Sequence, residues 1–310
     1  MSKELVILSG RPDLYSTRRL LEEAKLAGWQ AEVVDYRRCA LGISTETTSQ
    51  VLYHSRPLRP SVIVPRIGSR SSRFGAAVVR QFVGMGVRTT VTPGGILRAR
   101  DKLATLQALG AAGVPVPLTS AARTPSGLAE VLGLVGGTPV VVKLVEGTHG
   151  SGVVLAETRK AAESLVAAFH QLDADFCVQA FVKEAQGEDL RAFVVDGRVV
   201  AAMRRKAAAG EFRANLHQGG EAFPVELDRL EEEVAISAAA CVGVDVAGVD
   251  LLRTENGPLV LEVNVSPGLQ GIERASGVNV AAEVIDYSRR LCRALGPVVD
   301  LSAIAADELA

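Results

Sequence analysis

Charge imbalance is missing from this chain: 34 lysines and arginines stand against 35 aspartates and glutamates in 310 residues, a formal net charge of −1. Duplex binding rests on a basic face, so the balance argues against nucleic acid as the main partner, though not against a local basic patch. Cysteine is scarce. The four, Cys39, Cys177, Cys241 and Cys292, lie far apart and form no CxxC pair. They read as free thiols in a reducing cytosol and suggest no zinc site. Long apolar runs are absent as well. The longest, Val234 to Val244, is too short to cross a bilayer and is followed by Asp245 and Asp250. The opening segment, MSKELVILSG, passes straight into a patterned region, unlike a signal peptide. There is no internal repeat and no low-complexity stretch. These absences lead to the expectation of a soluble, cytoplasmic protein with no membrane partner.

What is present is an ordinary globular composition, 48% hydrophobic and 22% charged. It is ample for a sizeable core, and the length suits about two domains. Residues 5–8, LVIL, read as a buried parallel strand, because a strand covered on both faces needs no polar alternation. A helix over 16–27 follows, with Leu20, Leu21, Ala24 and Ala27 on one face and Gly28 as its stop. Strands are expected at 31–34, 62–64 and 87–91, with a helix from Phe74 to Phe82. Such alternation implies an α/β layer. Thr92-Pro-Gly-Gly breaks the pattern and is read as a domain boundary. Beyond it, Asp101 caps a helix over 102–112, ended by Gly113. Strands are expected at 116–119, 139–144, 152–156 and 176–181, and a helix at 159–169. Asp196-Gly197 between two β-rich runs signals a hairpin. A helix near 228–242, strands at 246–252 and 258–264, and a helix at 280–295 complete the pattern. The expected division is an N-terminal α/β domain (1–93), a larger α+β region (94–296, divided near 185) and an acidic tail (297–310).

Three clusters carry chemistry. In residues 140–153, a β-rich run delivers Lys143 to a loop holding Gly147, Gly150 and Gly152. Glycines let backbone N–H groups approach phosphate oxygens, and a lysine supplies countercharge. The segment is no P-loop, because no GK[ST] leads into a helix. A plain glycine-rich turn is the alternative. In residues 245–268, Asp250 lies on one strand, while Glu262 and Asn264, two apart on the next, share a face. Carboxylates among apolar neighbours need neutralisation, and this oxygen set suits Mg²⁺; the alternative is that they cap strand ends at the surface. Residues 204–220 gather Arg204, Arg205, Lys206, Arg213, Asn215 and His217 among glycines. Such a loop either gathers phosphate and carboxylate oxygens or is simply a solvated basic loop. Pro65-Arg66 either shapes the substrate end or plays a structural role at a strand end.

Taken together, the segments LYSTRRL (14–20), PRIG (65–68), RARDKL (98–103), VVKLVEGTHGSGVVLAETR (141–159), KEAQGEDLR (183–191), FRANLHQGG (212–220), VAGVD (246–250) and LEVNVSPGLQGIE (261–273) resemble the ATP-grasp ligases. The chain is most similar to the RimK type, the ribosomal protein modification ligases. The resemblance spans nearly everything to residue 296. It implies an ATP-grasp fold behind an N-terminal α/β (pre-ATP-grasp) domain. It implies that Lys143 and Lys102 contact ATP phosphates and that the loop 147–152 folds over them. Gln179, Ala180 and Phe181 would hold adenine through the backbone, and Asp189 would reach the nucleoside. Arg213 and Asn215 would face the phosphates and the reacting carboxylate, and with Lys143 they form the expected catalytic set. Asp250, Glu262 and Asn264 would hold Mg²⁺ or Mn²⁺, two ions in all.

The implied reaction is ATP-dependent formation of an amide through an acyl phosphate. L-glutamate would be the incoming amine, and the acceptor the C-terminal glutamate of a small-subunit ribosomal protein. Two alternatives stand beside it: the same chemistry on a carrier protein, peptide or coenzyme, and a non-catalytic ATP-binding module. No Ser/His/Asp or Cys/His nucleophile set is apparent. Members of such families are often homo-oligomers. Two departures stand out. The hinge reads Gln179-Ala180-Phe181 where the family usually has Gln-Glu-Tyr, and Arg204 stands where a glutamate is expected.

Overall fold

The structure, a computed structural model, describes residues 4–44, 49–145, 152–216 and 219–293. Gly147, Gly150, His217 and the expected acidic tail lie outside the described residues.

The apolar run near the start forms β1 (Glu4–Ser9), with Leu5 to Leu8 buried on both faces. It feeds α1 (Tyr15–Leu26) and β2 (Gln30–Val34). Three short strands, β3 (Cys39–Gly42), β4 (Gln50–Tyr53) and β5 (Arg56–Leu58), then form a small antiparallel sheet. Strands of three or four residues leave too little periodicity to be legible in the sequence. Next come β6 (Val62–Arg66), α2 (Ser72–Gly84) and β7 (Arg88–Thr89). The first sheet is parallel, in the order β2-β1-β6-β7. Its last strand is shorter than the expected 87–91.

Thr92-Pro-Gly-Gly starts a helix, α3 (Pro93–Arg98), rather than only breaking the pattern. Proline at the first helical position loses no needed N–H, and the Thr92 hydroxyl accepts from Gly95 N at 3.0 Å. Asp101 caps α4 (Lys102–Ala111), as expected, by accepting from Ala104 N. Then β8 (Thr119–Ala121) begins three residues later than predicted. Pro115 and Pro117 lack the N–H a ladder needs. With α5 (Leu128–Leu134), β9 (Val140–Leu144), β10 (Val153–Ala156), α6 (Arg159–Gln171) and β11 (Phe176–Ala180), it forms an antiparallel sheet in the order β10-β9-β11-β8. This unit has its own core, including Leu128, Val131, Val140, Val142, Phe176 and Val178.

The hairpin of β12 (Glu188–Val195) and β13 (Arg198–Lys206) turns at Asp196 and Gly197, with φ of 52° and 68°. Two positive φ angles are what an Asp-Gly turn supplies. After β14 (Glu221–Pro224) comes α7 (Arg229–Val242), closed at its start by a reciprocal Asp228–Glu231 capping box. β15 (Val246–Leu252) and β16 (Leu259–Asn264) complete a five-stranded antiparallel sheet, β14-β13-β12-β15-β16. Its core is continuous with that of the first sheet: Phe193, Val249 and Leu251 belong to the same cluster as Ile7, Ile63 and Phe82. Finally, α8 (Gln270–Ser276) and α9 (Val280–Arg293) return the chain to its start. Val280, Val284 and Ile285 of α9 are buried. Three such side chains are worth about 5–9 kcal/mol before ordering costs. Tyr15 Oη donates to Glu273 at 2.8 Å, pinning α1 to α8.

Candidate active site

The strand alternation of β9 and β11 sets Lys143 and Gln179 on one face. Lys143 pairs with Cys177 across the ladder, and Gln179 lies two residues beyond Cys177. The Lys143 ammonium donates to Gln179 Oε1 at 2.5 Å, and Gln179 Nε2 donates to Thr119 Oγ1 at 2.8 Å. A buried glutamine thus orients the lysine. Burial pushes the Lys143 pKa down, against the pull of Cys177, Glu262 and Asp250. Lys102, at the start of α4, donates from Nζ to Val145 O at 3.4 Å. Its charge adds to the pressure on Lys143.

The expected adenine segment follows directly. Ala180 N donates to Leu118 O at 2.8 Å and Phe181 N to Pro139 O at 3.4 Å. Hydrogen bonds from these two N–H groups to a nucleotide would compete with those contacts. Ala180 packs against the core of this unit, and the Phe181 ring meets Phe212 edge-on at 6.3 Å. Gly152 has φ of +73°, and a Cβ there would stand 2.5 Å from Leu144 Cδ1, so only glycine fits.

On the large sheet, Asp250 faces Glu262 across the β15–β16 ladder, and Gly248 faces Asn264. Asp250 also faces Arg191 of β12, while Asp189 faces Arg205 of β13. Arg191, Asp250 and Glu262 therefore form one cross-strand row. Arg191 grips Asp250 with two bonds of 2.7 and 2.6 Å, and Arg205 adds a contact of 2.9 Å. Arg205 binds Asp189 in the same bidentate way, at 2.6 and 2.7 Å. Burial alone would raise the pKa of Asp250; the two guanidiniums outweigh it and hold the carboxyl below its ordinary value. Asp189 goes the other way. Burial, reinforced by Asp250, lifts it to about 6 against the pull of Arg205.

Asp250 was expected as a metal ligand, and the oxygen set fits a hard cation. Ionised Asp250, Glu262 and the Asn264 amide supply oxygen donors. A carboxylate has about four acceptor sites. At Asp250 the closer contacts place one donor on Oδ1 and two on Oδ2, and Asn264 Nδ2 approaches Oδ2 at 3.4 Å. A lone pair of Oδ1 is left for a ligand. Gly248 shapes the surround: a Cβ there would meet Pro267 at 2.8 Å, so glycine lets the turn after β16 fold back onto β15.

The basic loop is structured by its own acid. Arg213 binds Glu211 through Nε at 3.0 Å and Nη2 at 2.6 Å, reaches Val153 O at 3.3 Å, and lies over the Phe212 ring. These Arg213 bonds depress Glu211 to about 2. Asn215 accepts from Gly220 N through its backbone carbonyl, at 3.2 Å. Arg204, the departure noted in the sequence, donates twice to Glu188 at 2.8 Å and stacks over Phe223. Its partner is thus one strand away. Arg191 and the role of Arg205 are not evident from the sequence motifs. The available signal was Asp189-x-Arg191, two charges on one face of a strand.

A parallel α/β sheet followed by two antiparallel sheets, one carrying Lys143 and the other the Asp250–Glu262 row, is the architecture to be compared with known proteins. The chain matches the RimK PreATP-grasp domain over residues 4–96 and the RimK-like ATP-grasp domain over 99–288. It belongs to the RimK-like ATP-grasp family and is an ATP-dependent amide-bond-forming enzyme. It is 49% identical over 288 residues to a probable alpha-L-glutamate ligase of Marinobacter nauticus, covering 93% of this chain and 95% of the relative. A protein of the same name from Aliivibrio fischeri is 50% identical over 281 residues, with 91% and 93% covered. Among solved structures, the ATP-grasp ligase PsnB complexed with minimal precursor superposes with a TM-score of 0.73 at 21% identity, covering 94% of this chain and 99% of that one. A RimK domain protein ATP-grasp from Sphaerobacter thermophilus gives 0.70 at 20% identity, covering 92% and 99%. These structures share the fold. No described helix is long and apolar enough to cross a membrane.

Proposed function

We propose that this enzyme joins L-glutamate through an amide bond to the C-terminal glutamate of a small-subunit ribosomal protein, at the expense of ATP. The observation that carries the reading is an oriented lysine on one sheet and an acidic row on another, close enough for their charges to interact. Lys143, oriented by Gln179, stands in the field of Glu262 and Asp250, the row that fits a metal. Relatives named probable alpha-L-glutamate ligase, at about half identity over nearly the full length, support glutamate as substrate.

Asp250, Glu262 and Asn264 would hold Mg²⁺ or Mn²⁺, as two ions. Bound there, the metal would neutralise the triphosphate and polarise its terminal phosphoryl group. Lys143, on the opposite sheet, and Lys102, at the start of α4, would neutralise the phosphates. Phosphoryl transfer needs positioning and charge compensation more than covalent help. Arg191 and Arg205 keep Asp250 ionised and aimed. The acceptor carboxylate oxygen attacks the γ-phosphorus, the bond to the β–γ bridging oxygen breaks, and ADP leaves. The amine of glutamate then attacks the acyl phosphate carbon. Collapse of the tetrahedral intermediate expels phosphate and leaves the amide. Arg213, held by Glu211 in this structure, would stabilise developing negative charge once it exchanges that partner for the substrate.

The test is phosphate release from Mg²⁺-ATP with L-glutamate, with and without the acceptor, with mass spectrometry of the acceptor. Acceptor-dependent release with mass steps of one glutamyl residue supports the reading. ATP turnover without added mass on the ribosomal protein, but with mass on a carrier or peptide, moves the activity to another acceptor.

A further inference from the structure

Most partly buried arginines near the site are paired with carboxylates: Arg191 and Arg205 with Asp250, Arg204 with Glu188, Arg213 with Glu211. Arg66 and Arg100 are not. Arg66 closes β6, and its Nη2 donates to the carbonyls of Pro267 and Ser266 at 2.6 and 3.3 Å. Arg100 stands just before α4 and donates from Nη2 to Ile67 O at 2.5 Å. Its Nε is buried with no hydrogen-bond partner among the described residues. Every acceptor in this set is a neutral carbonyl. The two cations meet at one junction: Arg100 and the Ser266 hydroxyl share Ile67 O, and Arg66 holds the carbonyls of Ser266 and Pro267. No described acid lies within ion-pair distance of either.

Such an arrangement is costly without an anion. Burial, with the charge of Arg100 beside it, lowers Arg66 to about 10. Burial also lowers Arg100, against the pull of Glu262 and Tyr36. The location is informative as well. Arg66 lies at the carboxyl end of a parallel strand, where open α/β sheets bind ligands. Arg100 lies two residues before Lys102, and the carbonyls of Ser266 and Pro267 follow Asn264 closely in the chain. The pair therefore bridges the phosphate lysines and the metal row to the mouth of the first sheet.

We propose that Arg66 and Arg100 form the receptor for a second carboxylate of the substrate, one that the reaction does not consume. Guanidinium forks match carboxylate geometry, and the unsatisfied Arg100 Nε gains an acceptor. The assignment rests on the glutamate reading above, since free glutamate and an acceptor ending in glutamate each carry such a group. Either source offers the same chemistry, and the experiment separates them.

The experiment is calorimetric titration of the full chain, loaded with Mg²⁺ and a non-hydrolysable ATP analogue. The ligands are L-glutamate, L-glutamine, and acceptor peptides ending in glutamate or glutamine. Wild type should bind the acid member of at least one pair more tightly than its amide. Arg66→Lys and Arg100→Gln should weaken that acid by about 10- to 100-fold, the range for losing a charge-assisted contact. They should also abolish the preference over the amide. Nucleotide affinity and thermal midpoint serve as controls for folding, and Arg66→Lys keeps the charge at the junction should Arg100→Gln fold poorly. The pair that loses its preference names the source. Unchanged acid-over-amide preference in the folded variants overturns the proposal. Should wild type bind neither glutamate nor the peptides, the glutamate reading fails, and glutarate and citrate judge the arginine pair alone. Absence of variant-sensitive binding of those two overturns it as well.

Discussion

Replacing Arg205 by leucine tests how the site holds its charge. Arg205 binds Asp189 at 2.6 and 2.7 Å and Asp250 at 2.9 Å, and the three side chains are 8%, 12% and 8% exposed. Asp250 keeps Arg191 in the variant, but Asp189 loses the partner that grips both its oxygens. Removing one member of a buried pair costs about 3–5 kcal/mol, because the remaining charge is left uncompensated. A chain of this length shifts its midpoint by about 1.5 °C per kcal/mol, so the expected loss is ~5–8 °C. Burial already pushes the Asp189 pKa up to about 6. Without Arg205 its pKa rises further, and protonation relieves the burial. A carboxyl with a raised folded-state pKa contributes favourably below its unfolded value and loses that contribution as pH rises through the folded one. The deficit of the variant should therefore be largest at alkaline pH and shrink on acidification. Adding Asp189→Leu should recover much of the loss, since the unpaired acid is gone. Calorimetric melts of wild type, single and double variants at several pH values supply the comparison. A single variant melting within a degree of wild type, or a double variant that loses the sum of two separate costs, would refute the reasoning.

Gln179→Leu removes the acceptor that orients Lys143; the ATP affinity should fall about 10-fold or more, read by nucleotide titration, with the fold intact. Glu262→Ala should lower ligation by at least about 100-fold in turnover assays, and wild-type-like ligation would remove Glu262 from the metal set. Glu211 has a depressed pKa, about 2. Its hold on Arg213 is therefore present in full above the ordinary carboxyl value near 4.5 and fades as pH falls through about 2. NMR of the Arg213 side chain against pH should show release in that window and not above it. Glu211→Gln should weaken that hold at neutral pH, while Val153 O still accepts from Arg213.

Much of the fold was legible because its signals are local. The LVIL run, the Asp101 cap and the Asp196-Gly197 turn each act within a few residues, and each forms the element expected. The short strands 39–58 leave too little periodicity to be legible, and the seven-residue helices α5 and α8 are too short to show a clear helical repeat. Pro115 and Pro117 delayed β8 for a reason visible in the sequence, the missing N–H, that the strand pattern overrode.

For the site, the order of motifs by itself determined the family and named Lys143, Asp250, Glu262 and Asn264. Strand alternation sufficed to put Glu262 and Asn264 on one side. Only the tertiary structure decided which groups neutralise them. Arg191 meets Asp250 from 59 residues away, and Gln179 meets Lys143 from 36. Arg66 reaches the carbonyl of Pro267 from 201 residues away. Those partnerships depend on ladder register and on the docking of two sheets through a shared core, which no local propensity encodes. The chemistry of a buried charge is set by what faces it, and facing is a property of the packed molecule.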